Sequence, residues 1–280
     1  MPDVQSVLNE ALALGEEGRW EEMATLLATA LETEPDDPYL LCWAGVAEQE
    51  VGNDGAAYEL FKRCIAQQPV DAHLLALAGA GLASFDDPEA ESALRTAALT
   101  APNLPIARVQ YGAYLAREGL FEEALEHLRA GISLAPEDPV VHGEMGVALA
   151  LKGDLDGAAD AFENALDLAP DDSWTRVLLG LVYAEQQRLE NSAETLVAAA
   201  KDRGDDAEAL VLAALASAAM GWDDAAEEAL ARAEYAAEGA DARLLEEATD
   251  RVHAGADAAR KFLLDDVAPS ALHDRLTQAP

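Results

Sequence analysis

The chain has 280 residues, with 18 Lys+Arg against 54 Asp+Glu and a formal net charge of −36. That balance argues against a basic nucleic-acid groove, because phosphate binding relies on clustered Lys and Arg. Hydrophobic residues make up 51% of the chain, too many for a disordered polymer, and Ala and Leu exceed a third of it while Val plus Ile number only 18, the composition of an all-α protein.

The first helical pattern opens near residue 4, with Leu8, Ala11 and Leu12 on it, and stops at Gly18; Trp20, Met23, Leu27 and Ala30 follow at second-helix spacing before Pro35. Asp36-Asp37-Pro38 then supplies a breaker, a cap and a first-turn proline. The second unit, from 38, repeats the plan with Gly45, Gly52, Asn53-Asp54, Ala57, Phe61, Cys64 and Pro69. A third starts at 72 with Gly79 and, after a one-residue deletion in its loop, Ala90, Leu94, Ala97 and Pro102. The fourth begins at Pro105 (Gly112, Gly119, Ala124, Leu128, Gly131, Pro136) and the fifth at Pro139 (Gly146, Gly153, Ala158, Phe162, Ala165, Pro170). The sixth starts at 173 (Gly180, Ser192, Leu196, Ala199, Gly204) and the seventh at 207 (Ala214, Gly221, Ala226, Leu230, Ala233).

Pro35, Pro69, Pro102, Pro136 and Pro170 are separated by 34, 33, 34 and 34 residues, and such a period marks a repeat architecture. With each proline at position 32, position 8 is small, position 20 is small and is read as its partner, position 24 is large and apolar, and position 27 is small. Positions 20, 24 and 27 share one face of a helix. Glycine at position 15 followed by acidic starts such as Asp223-Asp224 reads as helix, stop, cap, helix. An eighth, degenerate unit can be read from Asp241 with Gly255 at position 15, where Glu247, Arg251 and Arg260 replace buried residues and provide the polar outer face of a terminal repeat.

These columns resemble the tetratricopeptide repeat family over residues 4 to about 240. The resemblance implies an all-α, right-handed superhelical solenoid of stacked antiparallel helix pairs: seven units in residues 1–240 (starts near 4, 38, 72, 105, 139, 173 and 207), a degenerate eighth repeat or capping helices in 241–265, and a C-terminal tail in 266–280. It also implies a concave groove lined by positions 2, 5, 9, 12 and 13 of the first helices. On this sequence the candidate groove residues are Leu8, Leu12, Tyr39, Cys42, Val46, His73, Ile106, Val109, Val140, Val147, Trp174, Val177 and Leu181, with Glu16, Glu50, Arg117 and Glu185 at the position-13 edge. Some family members clamp acidic chaperone C-termini with Lys, Asn and Arg. Leu8, Leu12, Trp43, His73 and Leu77 stand at those positions here and disfavour that ligand.

Little points to catalysis or to metal. His73, His127, His142, His253 and His273 are scattered without metal-ligand spacing, and Gly79-Ala80-Gly81 belongs to a repeat helix rather than to a dinucleotide loop. Acidic pairs such as Glu122-Glu123 read as solvated charge, and no nucleophile motif is present. The expectation is a non-enzymatic scaffold or adaptor, without cofactor or metal, whose partner is another protein's apolar or amphipathic segment, with or without basic flanks. Alternatives are a chaperone-like holder of an apolar client and a self-assembling structural protein.

Three fates for the apolar groove stay open: a partner segment covers it, neighbouring repeats bury it, or the tail from Phe262 to Leu276 folds back into it. Trp174 is the expected contact residue, while Trp20 and Trp222, each following a glycine stop, read as packing. Cys42 and Cys64 form no disulfide framework, and the first residues lack the pattern of a signal peptide. No apolar run reaches membrane-spanning length. The expected location is the cytoplasm. Only four of the 18 basic residues are Lys, so the acidity reads either as salt adaptation or as complementarity to a basic partner.

Overall fold

The computed structural model describes residues 3–202, 206–236 and 240–277. Gly204 and the Gln278–Pro280 end lie outside the described residues. Helices follow one another with short turns, and no strand occurs among the described residues. They are α1 (Val4–Glu16), α2 (Trp20–Leu31), α3 (Pro38–Glu50), α4 (Asp54–Ala66), α5 (Ala72–Ala83), α6 (Glu89–Thr100), α7 (Pro105–Arg117) and α8 (Phe121–Leu134). The chain continues with α9 (Pro139–Lys152), α10 (Leu155–Leu168), α11 (Ser173–Glu185), α12 (Leu189–Asp202), α13 (Ala207–Ala219) and α14 (Asp223–Ala236). It ends with α15 (Ala240–His253), α16 (Ala256–Phe262), a π-helical turn (Leu263–Val267) and α17 (Ala268–Thr277). The fold is an all-α repeat solenoid.

Each of six first helices starts where an aspartate caps it, beginning with Asp3, which accepts from the backbone N–H of Ser6. Asp37 accepts from the backbone N–H of Tyr39 and Leu40, Asp71 from His73, Asp138 from Val140, Asp172 from Thr175 and Asp206 from Ala209. Pro38, Pro105 and Pro139 fill the first helical turn, where a missing N–H costs nothing. At position 4 of three consecutive units, Arg108, His142 and Arg176 donate to the carbonyls of Pro102, Pro136 and Pro170, satisfying the acceptor left by each inter-repeat turn.

The chain forms two compact units, one holding the helices through α8 and the other those from α9 to α17. In the first, α1 packs on α2, α3 on α4 and α5 on α6; each second helix also meets the next first helix, and α1, α3, α5 and α7 touch in succession. Tyr111 of α7 meets His127 of α8 edge-on at 4.9 Å. In the second, α9 pairs with α10, α11 with α12 and α13 with α14, while α15 and α16 both lie on α13. On those last two helices Glu247, Arg251 and Arg260 are exposed.

The side chain nearest to position 8 is the large residue at position 24, and in the fourth unit the position-20 Ala124 backbone also lies beside Gly112. A methyl group added to Gly45 would sit 2.7 Å from Phe61, and one on Gly146 would sit 2.5 Å from Phe162. Gly79, Gly112 and Gly180 stand in the same relation to Leu94, Leu128 and Leu196. The reason is directional: a long helical side chain covers the turn N-terminal to its own Cα. Position 24 therefore reaches back over the turn of position 20 onto the glycine. Phe61 and Phe162 are fully buried there, a burial that contributes about 2 kcal/mol each.

The position-15 glycines have positive φ, from 70° at Gly18 to 102° at Gly255, which L-residues adopt only at a cost. In the third and sixth units, which lack the glycine, Asp86 and Gln187 take the same backbone, with φ of 53° and 60°.

Candidate functional site

The thirteen candidate groove residues fall into three groups. Leu8, Cys42, Val109, Val147, Val177 and Leu181 are buried; Val46, His73, Ile106 and Trp174 are half-buried; Leu12, Tyr39 and Val140 are exposed, at 37, 41 and 55%. In the first unit the position-5 column is packing rather than surface. Cys42 lies on the seam between successive first helices, its Sγ 3.9 Å from the Leu74 carbonyl oxygen of α5. Contact with Cys64 and burial push the Cys42 thiol well up, away from a reactive thiolate.

Position 2 carries the accessible contacts. Tyr39 donates to Asp71 Oδ2 at 2.8 Å, and Trp43 and His73 lie with ring centroids 6.1 Å apart. Trp20 and Trp222 pack half-buried against the hydrophobic cores of their units. At the position-13 edge, burial pushes the Glu185 carboxyl up.

In the second unit the first-helix face is occupied by the chain itself. The π-helical turn lies on α13 and α11, and α17 lies on α11 and α9. Ala268, Ala271, Leu272, Arg275 and Leu276 are buried; their spacing defines a single face of α17. Among these five residues Arg275 is the cation. Its Nε donates to Glu208 Oε2 at 2.7 Å, and its Nη2 reaches Glu208 Oε2 at 2.6 Å and Asp206 Oδ2 at 3.2 Å. The guanidinium also stands over the Trp174 ring, 5.0 Å from its centroid. Asp206 is fixed independently, because its Oδ1 caps α13 through the Ala209 N–H at 2.9 Å.

Thus Trp174, the residue singled out from sequence, contacts an arginine from the same chain. Asp206, Glu208 and Arg275 are not among the candidate residues read from the sequence. The available signal was an arginine three residues after Leu272 and one before Leu276, on the apolar side of a short amphipathic segment.

A tetratricopeptide repeat model matches residues 149–216, which span the end of α9 through most of α13, with the glycine, cap and position-24 contacts described above. Over those residues the chain is a tetratricopeptide repeat sequence. Among solved structures, the chain is similar to a chain of the APC/C hetero-tetramer Cut9-Hcn1, at 20% identity and a TM-score of 0.70 over 88% of its own length and 49% of that chain. It thus spans about half the length of that neighbour. It is also similar to Pseudomonas aeruginosa pilF, with 17% identity, a TM-score of 0.59 and coverage of 76% of this chain and 96% of that one. TTC0263, a thermophilic TPR protein of Thermus thermophilus, matches at 24% identity and a TM-score of 0.54 over 64% of this chain and 97% of that one. These likenesses concern the fold. No curated protein sequence matches the chain.

Among the described residues, no helix is long and apolar enough to cross a membrane. No group of three or more His, Cys, Asp or Glu among them is placed to hold a metal ion.

Proposed function

We propose that this protein is a non-enzymatic scaffold that holds an apolar or amphipathic segment of another protein on its first-helix faces. The observation that carries the reading is α17, an amphipathic helix seated on α9 and α11. A helix seated on one first-helix face supports the reading that such faces receive helices.

On the first unit the equivalent face runs along α1, α3, α5 and α7. Leu12 and Tyr39 are its exposed members, with Val46, His73 and Ile106 half-buried beside them. Leu8, Cys42 and Val109 support it from beneath, while Val140, Val147, Trp174, Val177 and Leu181 belong to the second unit. Burial of apolar side chains would supply most of the affinity, and acidic edges such as Glu16 and Glu50 would set orientation and on-rate for a partner with basic flanks. One structural neighbour is crystallised within a hetero-tetramer, which supports a role in assembly. The two cysteines are free thiols, which fits a reducing compartment such as the cytoplasm.

The test is capture from a native extract, with the wild-type chain and a Leu12→Asp/Tyr39→Ala variant in parallel. Loss of a captured protein with unchanged helical circular dichroism supports the reading; identical capture by both chains refutes this face as the site. An aggregation-suppression assay distinguishes a holder from a scaffold, and light scattering over a concentration series detects self-assembly.

A further inference from the structure

The contacts of Arg275 go beyond what is needed to cover an apolar face. A buried ion pair loses to a well-packed apolar side chain as a source of stability, because both charges are stripped of water; its best-attested use is to specify one partner or register. Here one guanidinium is 7% exposed, held by two carboxylates on one side and an indole on another, in a chain with 18 basic residues against 54 acidic ones. The receiving groups sit on secondary structure that does not depend on α17. Asp206 caps α13, Glu208 lies in its first turn, and Trp174 lies near the start of α11.

The way α17 is attached matters as much as what it touches. It follows the π-helical turn, where Leu263 and Val267 are buried and where the turn itself contacts α13 and α11. Those anchors can stay in place, and the cap formed by α15 and α16 with them, while α17 leaves the face. Its remaining apolar anchors are short: Ala268, Ala271, Leu272 and Leu276. An occupant of this size, tethered by a turn that keeps its own hold, is suited to exchange.

We propose that α9, α11 and the start of α13 form a receptor for an amphipathic helix bearing one arginine between leucines at i−3 and i+1, and that α17 is its resident occupant, displaced by a partner helix of the same chemistry. The inference rests on the scaffold reading above and names the ligand class and the regulation of the second unit. In the closed state α17 blocks the site; a competing helix must supply the guanidinium as well as the apolar side chains. The tether raises the effective concentration of α17, so the site rejects apolar segments that lack the cation.

The probe is a fluorescent peptide of residues 266–277, added to full-length protein. Leu272→Asp/Leu276→Asp in the chain undocks α17, and the milder Leu272→Ser serves if the double variant loses helical circular dichroism. The undocked chain is expected to bind the peptide at least about tenfold more tightly than wild type. Arg275→Gln in the peptide should lower that binding about tenfold or more, as should Asp206→Asn/Glu208→Gln in the undocked chain, where Asn keeps the helix cap. Equal binding by wild type and undocked chains overturns the proposal, as does equal affinity for the Arg and Gln peptides, or no binding by an undocked chain of native helicity. A wild-type chain that sediments as a dimer with α17 exchanged also overturns it. Failure here leaves capture by the first unit unaffected, and loss of that capture leaves the peptide result standing.

Discussion

The phenolic hydroxyl of Tyr39 donates to Asp71 across 32 residues of sequence, joining position 2 of one repeat to the helix cap of the next. Burial works against the Asp71 charge, but the hydrogen bonds from Tyr39 and from the backbone N–H groups of His73 and Leu74 outweigh it and hold the carboxyl below the ordinary aspartate value of 3.8. A depressed carboxyl contributes stability above its unfolded value and loses it as pH falls through the folded one. Tyr39→Phe should cost about 1 kcal/mol at neutral pH and shift Asp71 toward its ordinary value. Urea melts at neutral pH and at pH values below that of the unfolded carboxyl should show the wild-type advantage shrinking with acid; an advantage independent of pH would detach Tyr39 from this carboxylate.

Gly146 is predicted to be intolerant of a side chain because the Phe162 ring occupies the space of its Cβ. Gly146→Ala should destabilise by about 2 kcal/mol. Adding Phe162→Leu should recover part of the loss, since Ala11 with Leu27 and Ala214 with Leu230 already combine alanine and leucine in these columns. A double-mutant cycle read by thermal melting measures the coupling, and strict additivity would refute the pairing of positions 8 and 24.

The sixth unit departs from the repeat at two positions, and restoring each should stabilise. Gln187 holds a φ of 60° where most units have glycine, so Gln187→Gly should gain about 1 kcal/mol. The buried Oγ of Ser192 lacks a hydrogen-bond partner among the described residues, where most other units carry alanine. Ser192→Ala should gain about 1 kcal/mol. Chemical denaturation of each variant checks both; a loss at either position contradicts the local account.

Tyr183 is pushed up to about 12 by burial first and then by its hydrogen bond to Glu163. Its raised value means that the stability tied to the neutral phenol is complete below the ordinary value of 10.0 and is lost as pH climbs through about 12. Ultraviolet titration should show a phenolate forming near pH 12 that vanishes in Tyr183→Phe, and that variant should lose the corresponding part of the alkaline instability.

Self-repulsion among the carboxylates should make stability rise with salt. The Debye length falls from about 30 Å at 0.01 M to about 3 Å at 1 M, so melting temperature should climb across that range of KCl in a chain of net charge −36. A flat profile would mean that the acidic groups are too far apart, or too well solvated, to oppose folding.

What the sequence made legible was local. Proline spacing, the position-15 glycines, the aspartate caps and the position-24 column each act within one helix pair, so residue type alone discloses them. The one-residue deletion in the third unit is equally plain, and it leaves the left-handed backbone at position 15 unchanged, as Asp86 shows. Position 5 was harder: Cys42 and Val109 look like groove residues because the seam between successive first helices depends on how closely the pairs stack. Arg275 was hardest, since its meaning comes from Asp206 and Glu208, which lie 69 and 67 residues earlier, and no periodicity links them.

A row of repeats that touch only their neighbours can come apart at any seam, one tile at a time. The contact of α17 with α9 and α11 breaks that rule, because it ties the end of the second unit back across the repeats that precede it. Those repeats lie inside a closed circuit of chain, and opening any of them strains the clasp. The second unit is thereby turned from a sequence of separable steps into a single cooperative block, and release of α17 would restore its freedom to melt piecemeal.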